Sequence, residues 1–468
     1  MPSRCGRLVR VASLAFAVTA ASLAALLMVF WFRPPELIRV GANFTAKMVC
    51  SNVFLASRDA DEVLKSDVQA PGHPLLKLMR IEIDRDLGVV RAGLFGFIGN
   101  GLAVARPNVG CAAVPDGKLA TARAIDGSVP AGDGNTVPPG IGALANSPAL
   151  GSLEVQNDPG AMRILAEDTL AGPGMRAIVV LHNARLVAER YADGFDWKTP
   201  QLGWSMAKSV TAGIIGVLVK EGRLKLDQSA GWAAADGRER IRIADLLSMS
   251  SGLQFNEGYG AVSDITRMLY LEPDMAAFAR ARPLIHPVGE VWSYSSGSAV
   301  ILSRIIQDSL GANAVAFVRG HLFEKLEMTT AIVETDESGT MVGSSYMYAA
   351  PRDWARYGQL LAQDGIWRGE QLLPRGYVAM MASPVAASGG EYGHGLVWRW
   401  ATHGDKPGEN SDAPFGIPAD TFWMGGHDGQ YVAVIPSRQL VVVRMGLTPA
   451  RLHYRPQPLV RALLDALQ

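Results

Sequence analysis

A serine and a lysine three positions apart form the most suggestive chemical pair in this chain of 468 residues. Ser205 and Lys208 begin an apolar stretch, residues 205–221, which predicts a buried helix that ends at Gly222. Residues three apart on a helix share one face and lie about one turn from each other. Burial lowers the pKa of a lysine, which would let it accept the serine proton. The pair therefore predicts a nucleophilic serine that has its own base.

Chance also produces this spacing, so the alternative is a serine that caps a helix followed by a surface lysine. Two observations favour chemistry. Of the ten lysines, only Lys208 has a serine three positions before it. It also lies in the most apolar helix predicted beyond the N-terminal segment, where a surface lysine is least expected. Residues 203–207 (GWSMA) nearly match the nucleophile elbow G-x-S-x-G, but that elbow must directly follow a buried strand, and residues 196–201 predict a loop.

Three segments in a fixed order resemble those of serine β-lactamases and penicillin-binding proteins. Residues 203–222, followed by LKLD at 224–227, are similar to the active-serine helix of this superfamily, whose signatures are S-x-x-K, S-D-N and K-T-G. YSS at 294–296 resembles the Y-x-N or Y-x-S element of class C β-lactamases, related esterases and 6-aminohexanoate-dimer hydrolases. HDG at 427–429 stands in place of K-T-G, and DLLSMSSGL at 245–253 is also typical of the family.

The resemblance implies a role for each matching residue. Ser205 would be the nucleophile, and Lys208 and Tyr294 would share the role of base. Tyr294 could act as a phenolate only beside a positive charge, which Lys208 would supply, so the two would titrate as a pair. The backbone N–H groups of Ser205 and Gln430 would form the oxyanion hole.

Four further residues are expected to contact substrate, namely His427, Gly429, Tyr259 and Ser296. Gly429 is expected at a strand edge, where substrate backbone must come close. A histidine is mostly neutral near pH 7, so His427 in place of the K-T-G lysine favours substrates without a carboxylate, and so disfavours β-lactams. The alternatives are a hydrogen-bonded structural histidine and, for Tyr259, packing within a loop. No metal or organic cofactor is implied.

Composition excludes several classes of function. The 44 basic and 44 acidic residues balance, so the chain lacks the basic excess that nucleic-acid binding requires. A hydrophobic content of 49% excludes a disordered chain. Three cysteines and eight scattered histidines, with no H-E-x-x-H spacing, do not suggest a zinc site.

The N-terminus predicts the compartment. Residues 11–32 form an uncharged apolar run that follows three arginines and is long enough for a transmembrane anchor, with residues 1–10 as a cytoplasmic tail. The alternative is a cleaved signal peptide, but the run ends in bulky residues rather than a small-residue cleavage site. An anchored, bacterial-type periplasmic domain would place Cys50 and Cys111 in an oxidising space, where we expect a disulfide. Two buried free thiols are the alternative.

Beyond the anchor, three regions are expected: a small β-rich accessory unit over 33–125, a linker rich in proline and glycine over 126–155, and a hydrolase domain over 156–468. The accessory unit contains predicted strands at 76–83, 89–98 and 102–105. The hydrolase domain has predicted strands at 176–181, 185–191, 396–400, 421–424, 431–435 and 440–445, and a last helix at 459–467.

Strands at both ends of this domain with helices between them predict an α+β fold, in which an antiparallel sheet is flanked by helices and carries an all-helical insert. The predicted function is that of a membrane-anchored, exported serine hydrolase, which cleaves a small-molecule or peptide ester or amide through an acyl-enzyme. One alternative is a D,D-peptidase or β-lactamase of the same fold. Another is a non-catalytic receptor that uses the fold for binding.

Overall fold

The structure is a computed structural model that describes residues 4–125, 127, 153, 155–233, 235–401 and 408–467. Its helices are α1 Arg4–Phe32, α2 Glu36–Phe54, α3 Ala60–Val63, α4 Leu119–Arg123, α5 Pro159–Ala166, α6 Asp168–Ala171, α7 Met206–Lys220, α8 Ile243–Leu247, α9 Asp264–Leu271, α10 Met275–Arg280, α11 Ser296–Leu310, α12 Ala314–Val318, α13 Pro351–Ala362, α14 Tyr377–Ala382 and α15 Gln457–Ala466. Its strands are β1 Met79–Asp84, β2 Val89–Leu94, β3 Ile98–Arg106, β4 Gly110–Ala113, β5 Met175–His182, β6 Arg185–Tyr191, β7 Gln201–Leu202, β8 Ile332–Val333, β9 Met347–Ala349, β10 Ile366–Trp367, β11 Glu370–Gln371, β12 Phe422–Gly426, β13 Gln430–Ile435 and β14 Leu440–Gly446.

The main sheet joins the two ends of the hydrolase domain, as predicted. Its order is β12-β13-β14-β5-β6, and every neighbouring pair is antiparallel. Because side chains alternate across a strand, Val179 and Val441 pack in the same core as α7 and α13, whereas Val180 and Val442 pack with α5 and α15. Helices therefore cover both faces, and the α+β fold is confirmed.

The prediction of a strand over 396–400 is wrong. Leu396 adopts φ +58°, a left-handed conformation that interrupts an extended chain. Trp398 then makes only isolated bridges, one to Trp423 at the outer edge of β12 and one to Tyr392. The alternating bulky side chains of this segment pack against the edge of the sheet, and the segment does not add a strand to it.

The N-terminal region is more helical than predicted. Its four-stranded sheet, β1-β2-β3-β4, carries the long helix α2 across one face. Gly101 permits this contact, since a Cβ at that position would lie 2.2 Å from the backbone of Ala42 in α2. The predicted disulfide is confirmed: Cys50 of α2 is bonded to Cys111 of β4, with 6.1 Å between the Cα atoms. We call residues 36–113 the N-terminal unit.

A buried ion pair joins the N-terminal unit to the hydrolase domain. Lys47 of α2 contacts the carboxylate of Glu334, and both side chains are almost fully buried. The same carboxylate accepts hydrogen bonds from Ser51 Oγ at 2.9 Å and from the backbone N–H of Cys111 at 2.7 Å. Arg106 also donates to the backbone oxygens of Thr335 and Asp336.

The predicted membrane anchor corresponds to α1. Within the part of the chain that the structure describes, no helix combines the length and apolar character that a membrane crossing requires. The prediction of a transmembrane helix over 11–32 is thus not confirmed. The predicted linker over 126–155 lies almost wholly outside the described residues.

Candidate active site

A tight turn places Ser205 at the start of α7. Gly203 lies against Trp354, where a Cβ would be 2.3 Å from the ring, so only glycine fits. Trp204 has φ +48°, an uncommon conformation for a bulky residue and one that is found at functional sites. Ser205 follows, partly exposed, while Trp204 beside it is buried. The turn therefore presents the hydroxyl of Ser205 at the surface of a buried helix.

Two buried tyrosines, Tyr357 of α13 and Tyr377 of α14, pack against α7. A Cβ at Gly213 would lie 2.3 Å from the hydroxyl of Tyr357, and one at Gly216 would lie 2.7 Å from the ring of Tyr377. Each hydroxyl donates to a carbonyl oxygen of α7, at 2.7 and 2.8 Å respectively. These contacts explain why the two glycines occur within a helix that they would otherwise destabilise.

Lys208 lies one turn into the helix, with its ammonium group beneath the serine. Its Nζ is 3.0 Å from Ser205 Oγ, 3.0 Å from Ser296 Oγ and 2.8 Å from the carbonyl oxygen of Ser344. Only 1% of the residue is exposed. Burial lowers the pKa of Lys208 to about 8, although the negative charge of Glu257 acts in the opposite direction. The geometry thus places beside the Ser205 hydroxyl an amine that could accept its proton near pH 8.

Tyr294 lies beside Ser205 and Lys208. Its side chain hydrogen-bonds to Ser205, whereas the Lys208 ammonium lies over the ring face, 4.8 Å from the centroid. Burial raises the pKa of Tyr294, and the negative charge of Glu257 raises it further. These surroundings favour the neutral phenol of Tyr294, and Lys208 is the group of the pair whose pKa is lowered.

Glu257 is a site residue that the sequence analysis missed. Its carboxylate accepts hydrogen bonds from the backbone N–H and the hydroxyl of Ser296, at the start of α11. Burial raises the pKa of Glu257, and the charge of Lys208 acts against that increase. Only its position two residues before Tyr259, in a segment already singled out, could have drawn attention to it.

Ser296 has a different role from the predicted one. It is fully buried and lies between Lys208 Nζ and the Glu257 carboxylate, at 3.0 and 3.2 Å. A side chain enclosed in this way cannot contact substrate. Ser296 instead orients the lysine and links it to the carboxylate.

The segment 427–429 forms a turn, and Gly429, which was expected at a strand edge, directly precedes β13. Asp428 and Gly429 have φ of +58° and +80°, and the turn connects β12 to β13. The carbonyl oxygen of Gly429, a partly buried residue, accepts a hydrogen bond from Arg444 at 2.7 Å. The expected contact of Gly429 with substrate stays a prediction.

The oxyanion assignment to Gln430 also changes. Gln430 begins β13, an inner strand, where it is paired with Gly426, and its side chain hydrogen-bonds to the backbone of Gly446. The outer strand is β12, where the N–H of Trp423 donates to the carbonyl of Trp398 at 2.7 Å. Two residues later in the strand, Gly425 directs its N–H to this same edge.

The edge of β12 runs towards the nucleophile. A Cβ at Gly426 would lie 2.3 Å from the carbonyl oxygen of Gly203, in the turn before Ser205. The ring of Tyr294 stacks on Trp398, with 5.5 Å between ring centroids, on the same side of the edge. The N–H of Gly425 at this edge is thus a candidate for the second donor of an oxyanion hole, beside the N–H of Ser205.

His427 and Tyr259 form an aromatic rim around the site. Their ring centroids are 5.1 Å apart, and His427 is 5.7 Å from the ring of Trp204. Nδ1 of His427 is 3.0 Å from the carboxylate of Asp428. Burial acts to lower the pKa of His427, but the hydrogen bond and charge of Asp428 outweigh it and the pKa is raised. The imidazole is therefore charged over a wider pH range than was predicted.

Comparison with known proteins shows the family. The sequence pattern of the family described as Beta-lactamase matches residues 165–456, which is more than half of the chain. The chain belongs to the Beta-lactamase family. The resemblance inferred from the three motifs is confirmed at this level. The N-terminal unit lies outside the matched residues.

Two relatives carry the name 6-aminohexanoate-dimer hydrolase. The curated one, from Paenarthrobacter ureafaciens, is 24% identical over 222 residues, which are 43% of this chain and 55% of that protein. The chain thus spans about half the length of this relative. The solved structure of a putative 6-aminohexanoate-dimer hydrolase from Bacillus anthracis is similar with a TM-score of 0.52 and 23% identity, covering 63% of this chain and 79% of that one. Another, a putative beta-lactamase from Bacteroides dorei, has a TM-score of 0.49 and 18% identity, over 63% and 93% of the two chains.

Proposed function

We propose that this protein is a serine hydrolase that cleaves an ester or amide bond through an acyl-enzyme on Ser205. The observation that carries the proposal is the buried Lys208 ammonium, which lies 3.0 Å from Ser205 Oγ and has a pKa of about 8. Family membership supports a hydrolase. The name of the curated relative, a hydrolase of an aminohexanoate dimer, supports an amide among the substrates.

In the proposed reaction, neutral Lys208 takes the proton of Ser205 while Oγ attacks the substrate carbonyl carbon. The N–H groups of Ser205 and Gly425 stabilise the oxyanion. As the intermediate collapses, the bond to the leaving group breaks, and that group receives its proton from the Lys208 ammonium. Water then attacks the acyl-enzyme with Lys208 again as the base, which releases the acid and restores Ser205.

A fluorophosphonate probe tests the nucleophile. We expect labelling of the wild-type chain, loss of labelling in Ser205→Ala and a large reduction in Lys208→Ala. Ser293→Ala and Lys220→Ala are matched controls, since Ser293 is an exposed serine beside Tyr294 and Lys220 is on the last turn of α7. Equal labelling of wild type and Ser205→Ala would contradict the proposal. An absence of labelling in the folded wild type would favour the receptor alternative.

We further propose that the hydrolase domain is exported and held at the inner membrane by α1. The Cys50–Cys111 bond supports an oxidising compartment, and exposed apolar side chains such as Phe16 and Phe32 on α1 support attachment. Cell fractionation, combined with thiol alkylation before and after reduction, tests both statements. A cytoplasmic pool in which both thiols react without reduction would overturn the proposal.

A further inference from the structure

A cavity of about 370 Å³ lies between the N-terminal unit and the hydrolase domain. One face of α2 forms a wall of this cavity, because Leu37, Gly41, Phe44 and Met48 recur every three or four residues along the helix. From the first to the last of them the helix rises about 16 Å, so the wall is elongated. The lining is mainly apolar on this side.

The cavity adjoins the candidate active site, although Ser205 itself is not among its lining residues. Its lining includes Trp204, which directly precedes Ser205, together with the rim residues Tyr259 and His427. Tyr270 also lines it and packs edge-on against Phe44, with 5.6 Å between ring centroids. A ligand group that leaves the serine in this direction would therefore pass the aromatic rim and lie along α2.

A cluster of paired charges lines the cavity beside the C-terminal end of α2. The Asp67 carboxylate accepts hydrogen bonds from Arg58 and Arg176, the shortest of which are 2.6 Å. Glu62 lies 3.7 Å from Arg58, so two acidic groups balance the two guanidinium groups. Since these charges are paired within the protein, the end of the cavity offers no unpaired charge to a ligand.

We infer that this cavity binds an unbranched apolar acyl group of medium length, such as octanoyl, on the ester or amide that Ser205 attacks. The inference rests on the proposed function, and it assigns substrate selection to the N-terminal unit. α2 lies outside residues 165–456, which match the family, so the apolar wall is an addition to the family domain. A volume near the lower end of the range for small-molecule sites fits one such chain.

A series of soluble p-nitrophenyl esters, from acetate through butyrate to octanoate, tests the inference. Each buried methylene is expected to raise kcat/KM about fourfold until the cavity is filled. Leu37→Trp should narrow the cavity along α2 and lower the octanoate-to-acetate ratio by at least about tenfold. Leu78→Trp is the matched control, since Leu78 is exposed on the same unit and does not line the cavity. Phe44→Ala should move the preference towards dodecanoate.

Binding separates this inference from the proposed function. We expect Ser205→Ala to bind octanoic acid, the acid released from an octanoyl ester, in calorimetry, and we expect Leu37→Trp in that background to abolish binding while Leu78→Trp does not. If octanoate binds in this way but no ester is cleaved, the proposed function fails and the acyl site stands. If esters are cleaved with equal kcat/KM at every chain length, or octanoate does not bind, the acyl site is wrong.

Discussion

In the proposed mechanism, Lys208 must lose its own proton before it can accept one from Ser205, so the pKa of Lys208 would set the pH at which acylation begins. Burial lowers that pKa to about 8, which leaves the lysine mainly charged below this pH and mainly neutral above it. We expect kcat/KM for a neutral ester to rise about tenfold per pH unit on the acid side and to level off above about pH 8. A rate limb centred near pH 6.5 would instead indicate control by a histidine.

Glu257 should determine the pH at which kcat/KM rises, without contacting substrate. Its negative charge raises the pKa of Lys208, so Glu257→Gln should lower that pKa and move the limb to lower pH. The amide oxygen of glutamine still accepts the N–H of Ser296, which preserves the start of α11. Glu290→Gln is the control, because Glu290 is an exposed carboxylate in the loop before α11. If Glu257→Gln lowers activity equally at every pH, the carboxylate is only structural.

The sequence predicted that Ser205 and Lys208 lie together but not what surrounds them. Ser205 and Lys208 are adjacent on one helix, so their spacing alone determines their proximity. The groups that contact the lysine, Ser344 and Ser296, are far away in sequence. Burial and the charge of Glu257 both raise the pKa of Tyr294, and no sequence pattern joins these residues.

At the scale of elements, strongly patterned segments were predictable and α2 was not. The predicted strands at 431–435 and 440–445 agree with β13 and β14 to within one residue, because their apolar runs are buried on both faces. In α2, the buried residues include Asn43, Lys47 and Ser51. Their partners lie in β3 and at Glu334, so polar and apolar residues alternate on the buried side of α2 and its pattern does not identify a helix.

The disulfide between α2 and β4 should stabilise the N-terminal unit. The two cysteines are 61 residues apart, and closing a loop of this length removes about 4 kcal/mol of conformational entropy from the unfolded chain. Changing both Cys50 and Cys111 to alanine should therefore lower the free energy of unfolding by about 2–5 kcal/mol. Denaturant titration of oxidised wild type, reduced wild type and the double variant measures this loss. An unchanged midpoint in all three would contradict it.

At the scale of the whole molecule, the N-terminal unit is fastened to the hydrolase domain by buried charge. Lys47 and Glu334 lie at the contact with almost no exposure, and Tyr346, whose ring is 4.1 Å from the lysine Nζ, packs on Trp204 beside the nucleophile. Two packed side chains, Tyr346 and Trp204, thus connect this ion pair to Ser205. We expect the unit and the domain to unfold together in a single calorimetric transition.

Breaking this ion pair provides the test. Lys47→Met would leave the Glu334 carboxylate buried without its cation, at an expected cost of about 3–5 kcal/mol. Combining Lys47→Met with Glu334→Gln removes both charges and should recover a large part of that loss, since a buried pair is costly mainly when only one partner remains. Lys65→Met, at an exposed position of the same unit, should change stability little. Two separate transitions in the wild type, or equal stability of Lys47→Met and Lys65→Met, would show that the two parts are coupled only through the covalent chain. In that case the wall that α2 contributes beside Ser205 would not be held rigidly enough to select a substrate.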